Sequence, residues 1–135
     1  MDEHNKRVLK KKKRAETDEM TGFYTRAAAE RCIGKVLSEN EDAMYAFFLF
    51  DIDNFKQAND RFGHVFGDMA IKEFTAVIRG HFCENDILGR IGGDEFAAFL
   101  PAENLETVEA KATEISLSLS RTFTDGVSSW KMSAS

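Results

Sequence analysis

Apolar residues along the chain recur at two different spacings, and each spacing predicts its element. Residues 44–50 form an unbroken apolar run that stops at Asp51-Ile52-Asp53. This reads as a buried central strand with carboxylates at its exit. Residues 87–91 and 96–100 are shorter apolar strands joined by Gly92-Gly93-Asp94-Glu95, a hairpin turn whose glycines permit positive φ. Helical spacing appears elsewhere: Ala28, Cys32, Ile33, Val36 and Leu37 over 25–37; Ile71, Phe74, Val77 and Ile78 over 69–81; Leu105, Val108, Ala112, Ile115 and Leu119 over 105–119. A short helical piece over 55–61 leads to a tight turn bracketed by Gly63 and Gly67, and Pro101 ends the second hairpin strand. Beyond the Thr124-Asp125-Gly126 turn, residues 130–135 open a further strand. The order βαββαβ with a helical preface predicts an α+β fold of the ferredoxin-like kind, an antiparallel sheet with helices on one face.

The preface is polar. Residues 4–17 favour helix but offer only Val8 and Leu9 as apolar anchors, so this helix reads as a stalk leading in from an upstream domain. The expected organisation is a basic helical linker over 1–17 and one globular domain over 18–135. With 135 residues, 43% of them apolar, and 12 phenylalanines, that domain can bury a substantial core. No apolar run is long enough to span a bilayer, and the N-terminus lacks a secretory signal's apolar stretch, so the expected address is the cytoplasm, with no membrane insertion by this segment. Cys32 and Cys83 have no paired spacing and read as free thiols.

The net charge of −5 hides an asymmetry: residues 1–14 carry seven Lys/Arg against two acids. The acidic body argues against nucleic-acid binding. The run Lys10 to Arg14, without interleaved aromatics, reads as a solvated helix face.

Chemistry concentrates at two acidic sites, Asp51 with Asp53 at the strand exit and Asp94 with Glu95 at the hairpin turn. A hairpin beside the first strand brings these carboxylates together. Carboxylates plus a backbone carbonyl are hard oxygen ligands of the kind Mg²⁺ accepts, leaving its other positions for phosphate oxygens and water. Exposed turns favour Asp and Gly for their own sake, so the matched pair of acidic sites carries the signal, not either one alone. Between them, Lys56 at a helix start suits a phosphate. Asn59 and Asp68 suit a purine edge, since a carboxylate can accept both N–H donors of guanine, a pair that adenine lacks. A lone His64 beside glycine is more often structural than catalytic. No Ser-His-Asp set or Walker-type phosphate loop is visible.

Three spaced segments resemble the GGDEF family in order and spacing: residues 18–26, the run Phe50 to Lys56 with Asn59-Asp60, Gly63-His64 and Gly67-Asp68, and Arg90 to Phe96. The resemblance implies a nucleotidyl-cyclase-type sheet and a diguanylate cyclase, which condenses two GTP into cyclic di-GMP and releases two pyrophosphates. It further implies that Asp51, the carbonyl of Ile52 and Asp94 hold Mg²⁺, with Mn²⁺ as an alternative. Glu95 and Asp94 are then the catalytic residues, with Glu95 assisting deprotonation of the 3′-hydroxyl or completing the metal site. Asn59, Asp68, Lys56, Phe55, Gly92 and Gly93 contact the substrate. Each GTP supplies a nucleophile and an electrophile, so two domains must face one another as a homodimer.

Two departures from the family pattern stand out. The product-binding site Arg-x-x-Asp reads Cys83-Glu84-Asn85-Asp86 here, and a thiol can neither grip phosphate as a fork nor stack on guanine. Product inhibition through this site, where Asp86 is retained, is therefore expected to be weak or absent. The C-terminal residues resemble only the opening of a family strand, so the domain is expected to lack its last elements, including a helix that usually supplies Lys and Arg to the triphosphate. A catalytically impaired, GTP-binding regulatory domain is the alternative expectation.

Overall fold

The computed structural model describes residues 16–52 and 55–124. The predicted stalk over 4–17 falls almost wholly outside them, as do Asp53 and the predicted strand over 130–135. A four-stranded sheet has the order β1-β3-β4-β2, with β1 Tyr24–Thr25, β2 Tyr45–Asp51, β3 Ile87–Arg90 and β4 Glu95–Pro101. Helix α1 spans Arg26–Glu39, α2 Phe55–Phe62, α3 His64–Gly80 and α4 Leu105–Thr124.

The predicted βαββα order holds over the described residues, and three differences follow from packing. The short β1, too brief to show a period, pairs in parallel with β3, so the sheet is mixed and not purely antiparallel. Helices cover both faces. Phe96 and Ala98 of β4 join Phe74 and Ile78 of α3 and Ile115 and Leu119 of α4 in one core, whereas Gly89 of β3, opposite Ala97, faces α1. A Cβ at Gly89 would sit 2.9 Å from the Cβ of Ala29, so helix and strand approach at a distance only glycine allows. The third difference is β2, predicted as central: among the described strands it lies at an edge, and Phe47 and Leu49 are 57% and 53% exposed.

Local chemistry explains the helix boundaries. Thr25 caps α1 by accepting from the Ala28 N–H at 3.3 Å. The predicted tight turn at Gly63 and Gly67 is instead a helix start. Gly63, at φ 91°, turns the chain and α3 opens at His64, leaving Gly67 buried inside it. Ile71, Phe74 and Ile78 are buried as the helical spacing predicts.

Candidate active site

The register of β2 against β4 places Asp51 directly opposite Glu95. The pairing continues one step further: the Ile52 N–H donates to the Asp94 carbonyl at 3.1 Å. The strand exit and the hairpin turn thus meet, as the sequence predicts. Like charges facing each other across a strand pair destabilise the sheet, and the fold accepts that cost here. Among the described residues, no three Asp, Glu, His or Cys side chains gather as a ready-made metal cage. The donors that the resemblance implies are the Asp51 and Asp94 carboxylates and the Ile52 carbonyl, with Glu95 beside them. That set fits Mg²⁺, which takes few protein ligands and completes its shell with phosphate and water.

The turn is closed by its own backbone, with the Ile91 and Gly92 N–H groups both donating to the Glu95 carbonyl, at 2.8 and 3.2 Å. Gly92 and Gly93 do not use the positive φ that glycine permits; Gly22 and Gly63 are the described glycines that do. A Cβ on Gly93 would meet nothing, and one on Gly92 would make ordinary contact with the Glu95 side chain at 3.6 Å. The fold itself therefore has no need of glycine at either position.

Arg90 holds this turn in place, a role that spacing alone does not reveal. Its Nη1 donates to both Asp18 oxygens at 3.1 and 3.2 Å, and its Nη2 donates to the Gly93 carbonyl at 2.8 Å. The guanidinium also lies 6.0 Å from the centre of the Phe96 ring. Asp18 is in turn fixed by the Thr21 N–H and hydroxyl, at 3.0 and 2.8 Å. One side chain thus ties the turn at residues 18–22 to the turn at 92–95. Both segments belong to the quoted resemblance, but their contact spans 72 positions of sequence.

Burial pushes the Asp18 carboxyl up, but the Thr21 hydrogen bonds and the charge of Arg90 outweigh it and hold the carboxyl below its ordinary value. A lowered folded value means that this group stabilises the fold above the ordinary aspartate range and stops doing so as the pH falls through the folded value. Denaturation midpoints followed from about pH 6 to about pH 3 should therefore fall more steeply for the parent chain than for Asp18→Asn. Parallel curves would show that the carboxylate makes no such contribution.

The remaining predicted contacts lie on the next two helices. Phe55 and Lys56 begin α2, Lys56 is exposed, and the first turn holds no acid, so its N–H groups and Lys56 present positive charge. Asn59 in α2 and Asp68 in α3 are brought round one corner by Gly63. Cys83 and Asp86 line a cleft of about 710 Å³ with Tyr24, Arg79 and Phe82. There the Asp86 carboxylate is turned back onto its own loop, accepting from the Cys83 N–H at 2.8 Å. Arg79, the guanidinium in that cleft, donates to the Thr21 carbonyl at 2.7 Å. Cys32 and Cys83 are free thiols.

A mixed sheet covered by helices, with carboxylates converging where a hairpin meets a strand exit, defines a nucleotidyl-cyclase-type α+β domain. Comparison with known proteins agrees: the profile of the diguanylate cyclase GGDEF domain matches residues 15–135, and the chain belongs to that family. It is 38% identical over 97 residues to the diguanylate cyclase DgcP of Pseudomonas aeruginosa PAO1, covering 70% of this chain and 14% of that one. It is 32% identical over 101 residues to the cyclic di-GMP phosphodiesterase PdeR of Escherichia coli K12, covering 75% of this chain and 15% of that one. The chain therefore corresponds to a small part of either relative. Among solved structures, the coiled coil and GGDEF domain of DgcB from Caulobacter crescentus, in complex with c-di-GMP, superposes with a TM-score of 0.89 at 25% identity, over 98% of this chain and 72% of that one.

Proposed function

We propose that this chain is the catalytic unit of a diguanylate cyclase, working in the cytoplasm as a homodimer under an upstream sensor. The observation that carries the reading is the register pairing of Asp51 with Glu95, with Asp94 bonded to Ile52 beside them. Carboxylates gathered at a sheet end are hard oxygen donors of the kind a divalent cation takes, and the open space over Gly93 leaves the backbone accessible to a nucleotide. Among the described residues, no helix is long and apolar enough to cross a membrane.

In this reading Asp51, the Ile52 carbonyl and Asp94 hold Mg²⁺ or Mn²⁺, which when bound neutralises phosphate charge and acidifies the attacking hydroxyl. Glu95 takes the proton of the 3′-hydroxyl of one GTP. That oxygen bonds to the α-phosphorus of the second GTP as the bond to its pyrophosphate breaks, and the same exchange in the other direction closes the ring. Lys56 and the α2 N-terminus receive phosphate oxygens. Gly92 and Gly93 let the backbone approach them, and Phe55 lies beside the bound nucleotide. Little covalent work falls to the protein beyond positioning and charge.

The test is anion-exchange chromatography of products after the concentrated chain is incubated with GTP and Mg²⁺. Cyclic di-GMP supports the reading. GTP binding without product favours the alternative expected from the sequence, a catalytically impaired regulatory domain.

Base recognition is assigned to Asn59 and Asp68. Asp68→Ala should reduce the preference for GTP over ATP by roughly tenfold, the worth of a charge-assisted hydrogen bond; an unchanged ratio of binding constants would remove Asp68 from the site. In the cleft, Asp86 is already engaged and Cys83 stands where the family has arginine. Added cyclic di-GMP should accordingly slow the parent enzyme less than it slows Cys83→Arg, and equal inhibition of the two would refute this.

A further inference from the structure

His64 takes no part in the chemistry above, yet it makes a contact with consequences for one residue that does. Nδ2 of Asn59 stands 3.1 Å from Nδ1 of His64. With the amide nitrogen as donor, Nδ1 accepts, which corresponds to the ring tautomer that carries its proton on Nε2. The fold arranges this meeting. Asn59 lies in the last turn of α2, where its carbonyl accepts from the Gly63 N–H at 2.8 Å. Gly63, at φ 91°, reverses the chain, so α3 begins with His64 over the end of α2.

A carboxamide turned by half a rotation about its last torsion keeps its shape and exchanges donor for acceptor. The two orientations fill the same space, so the packing of a half-buried side chain chooses weakly between them, whereas a hydrogen-bond partner of fixed tautomer does choose. Turned the other way, Asn59 would set its Oδ1 against Nδ1, a pairing that requires the ring to move its proton from Nε2 to Nδ1. In the Nε2-protonated tautomer, His64 therefore selects the orientation in which Nδ2 is held and Oδ1 is left for a ligand. Asp68 follows one helical turn after His64 on α3, so positions 59, 64 and 68 share one corner.

We propose that His64 is a positioning residue that fixes the Asn59 carboxamide with its oxygen toward the nucleobase, where it accepts the 2-amino group of guanine and sharpens selection against bases without that group. The inference rests on Asn59 contacting the base of GTP.

Inosine triphosphate, which differs from GTP in lacking the 2-amino group, is the discriminating probe. Calorimetric affinities for GTP and ITP in the presence of Mg²⁺ are measured on the full chain in the Glu95→Gln background, which limits consumption of the nucleotide. The comparison is between His64, His64→Leu and His64→Asn. His64→Leu should lower the GTP-to-ITP affinity ratio by about fivefold, the worth of one hydrogen bond. His64→Asn, whose oxygen can stand in for Nδ1, should restore most of it. A ratio unchanged in His64→Leu, with both nucleotides weakened alike, would overturn the proposal in favour of a purely structural histidine.

A second measurement needs no nucleotide: the side-chain amide resonances of Asn59 should shift between the parent and His64→Leu, and unshifted resonances would show that the hydrogen bond is absent. Failure of the parent to bind GTP would remove the functional reading and this role with it, even if those resonances shift.

Discussion

Glu95→Gln should abolish cyclic di-GMP formation without weakening the fold. Removing a group that accepts a proton in the transition state costs about 10²- to 10⁴-fold in rate, and an amide of the same size cannot do that work. Stability should move the other way. Glu95 is exposed, its carbonyl and not its carboxylate closes the turn, and its charge faces Asp51 across the strand pair. Relieving that repulsion is worth a few tenths of a kcal/mol, so the unfolding temperature should hold or rise slightly. Such opposed movements mark a site kept for chemistry at some cost to stability. The check is thermal unfolding and product analysis on the same preparation. Turnover within about twofold of the parent would exclude Glu95 as the base, because a base contributes on the order of a hundredfold or more.

Arg90→Met should damage both fold and activity. The guanidinium and the Asp18 carboxylate are only 17% and 24% exposed, and the substitution leaves the carboxylate part-buried without its counter-charge and the Gly93 carbonyl without its donor. Breaking a fully buried pair costs about 3–5 kcal/mol. Partial exposure brings the expected loss to roughly 2–3 kcal/mol, equivalent to a fall in unfolding temperature on the order of 10 °C for a domain of this size. The turn carrying Asp94 and Glu95 would lose its tie to residues 18–22, so turnover should fall even at temperatures where the variant is folded. A double-mutant cycle with Asp18→Asn measures the link directly, and additive effects of the two substitutions would show that the pair does not act as a unit.

Much of this architecture is written in local pattern. The helical faces built on Ile71, Phe74 and Ile78, and on Ile115 and Leu119, are buried as their spacing requires, because a helix repeats its face every three to four residues whatever it packs against. Leu105 and Ala112, on the second of these faces, and Leu37, on the face predicted over 25–37, are exposed. Periodicity says which side of a helix is apolar, not how far along it the neighbouring element reaches. The same limit applies to β2, whose apolar run predicts burial on both faces, while Phe47 and Leu49 remain more than half exposed.

The candidate site divides in the same way. Asp51, Asp94 and Glu95 were legible because acids at a strand exit and at a glycine turn are unusual together, and the structure brings them to the register the hairpin implies. The role of His64 was not legible. A histidine next to a glycine carries no sign of its partner until Gly63 has turned the chain and laid the ring on Asn59.

By itself, the sequence determined the number and order of the described helices and hairpin strands, the acidic pair of sites and membership of the GGDEF family, since each depends on residues close together or on motif spacing. Only the tertiary structure decided that β1 joins the sheet in parallel, that helices cover both faces, and that Arg90 binds Asp18 across 72 positions. The physical reason is that hydrophobic periodicity and turn chemistry act over a few residues. Strand partners and ion pairs are instead selected by the burial of the whole chain at once, and that selection leaves no local mark.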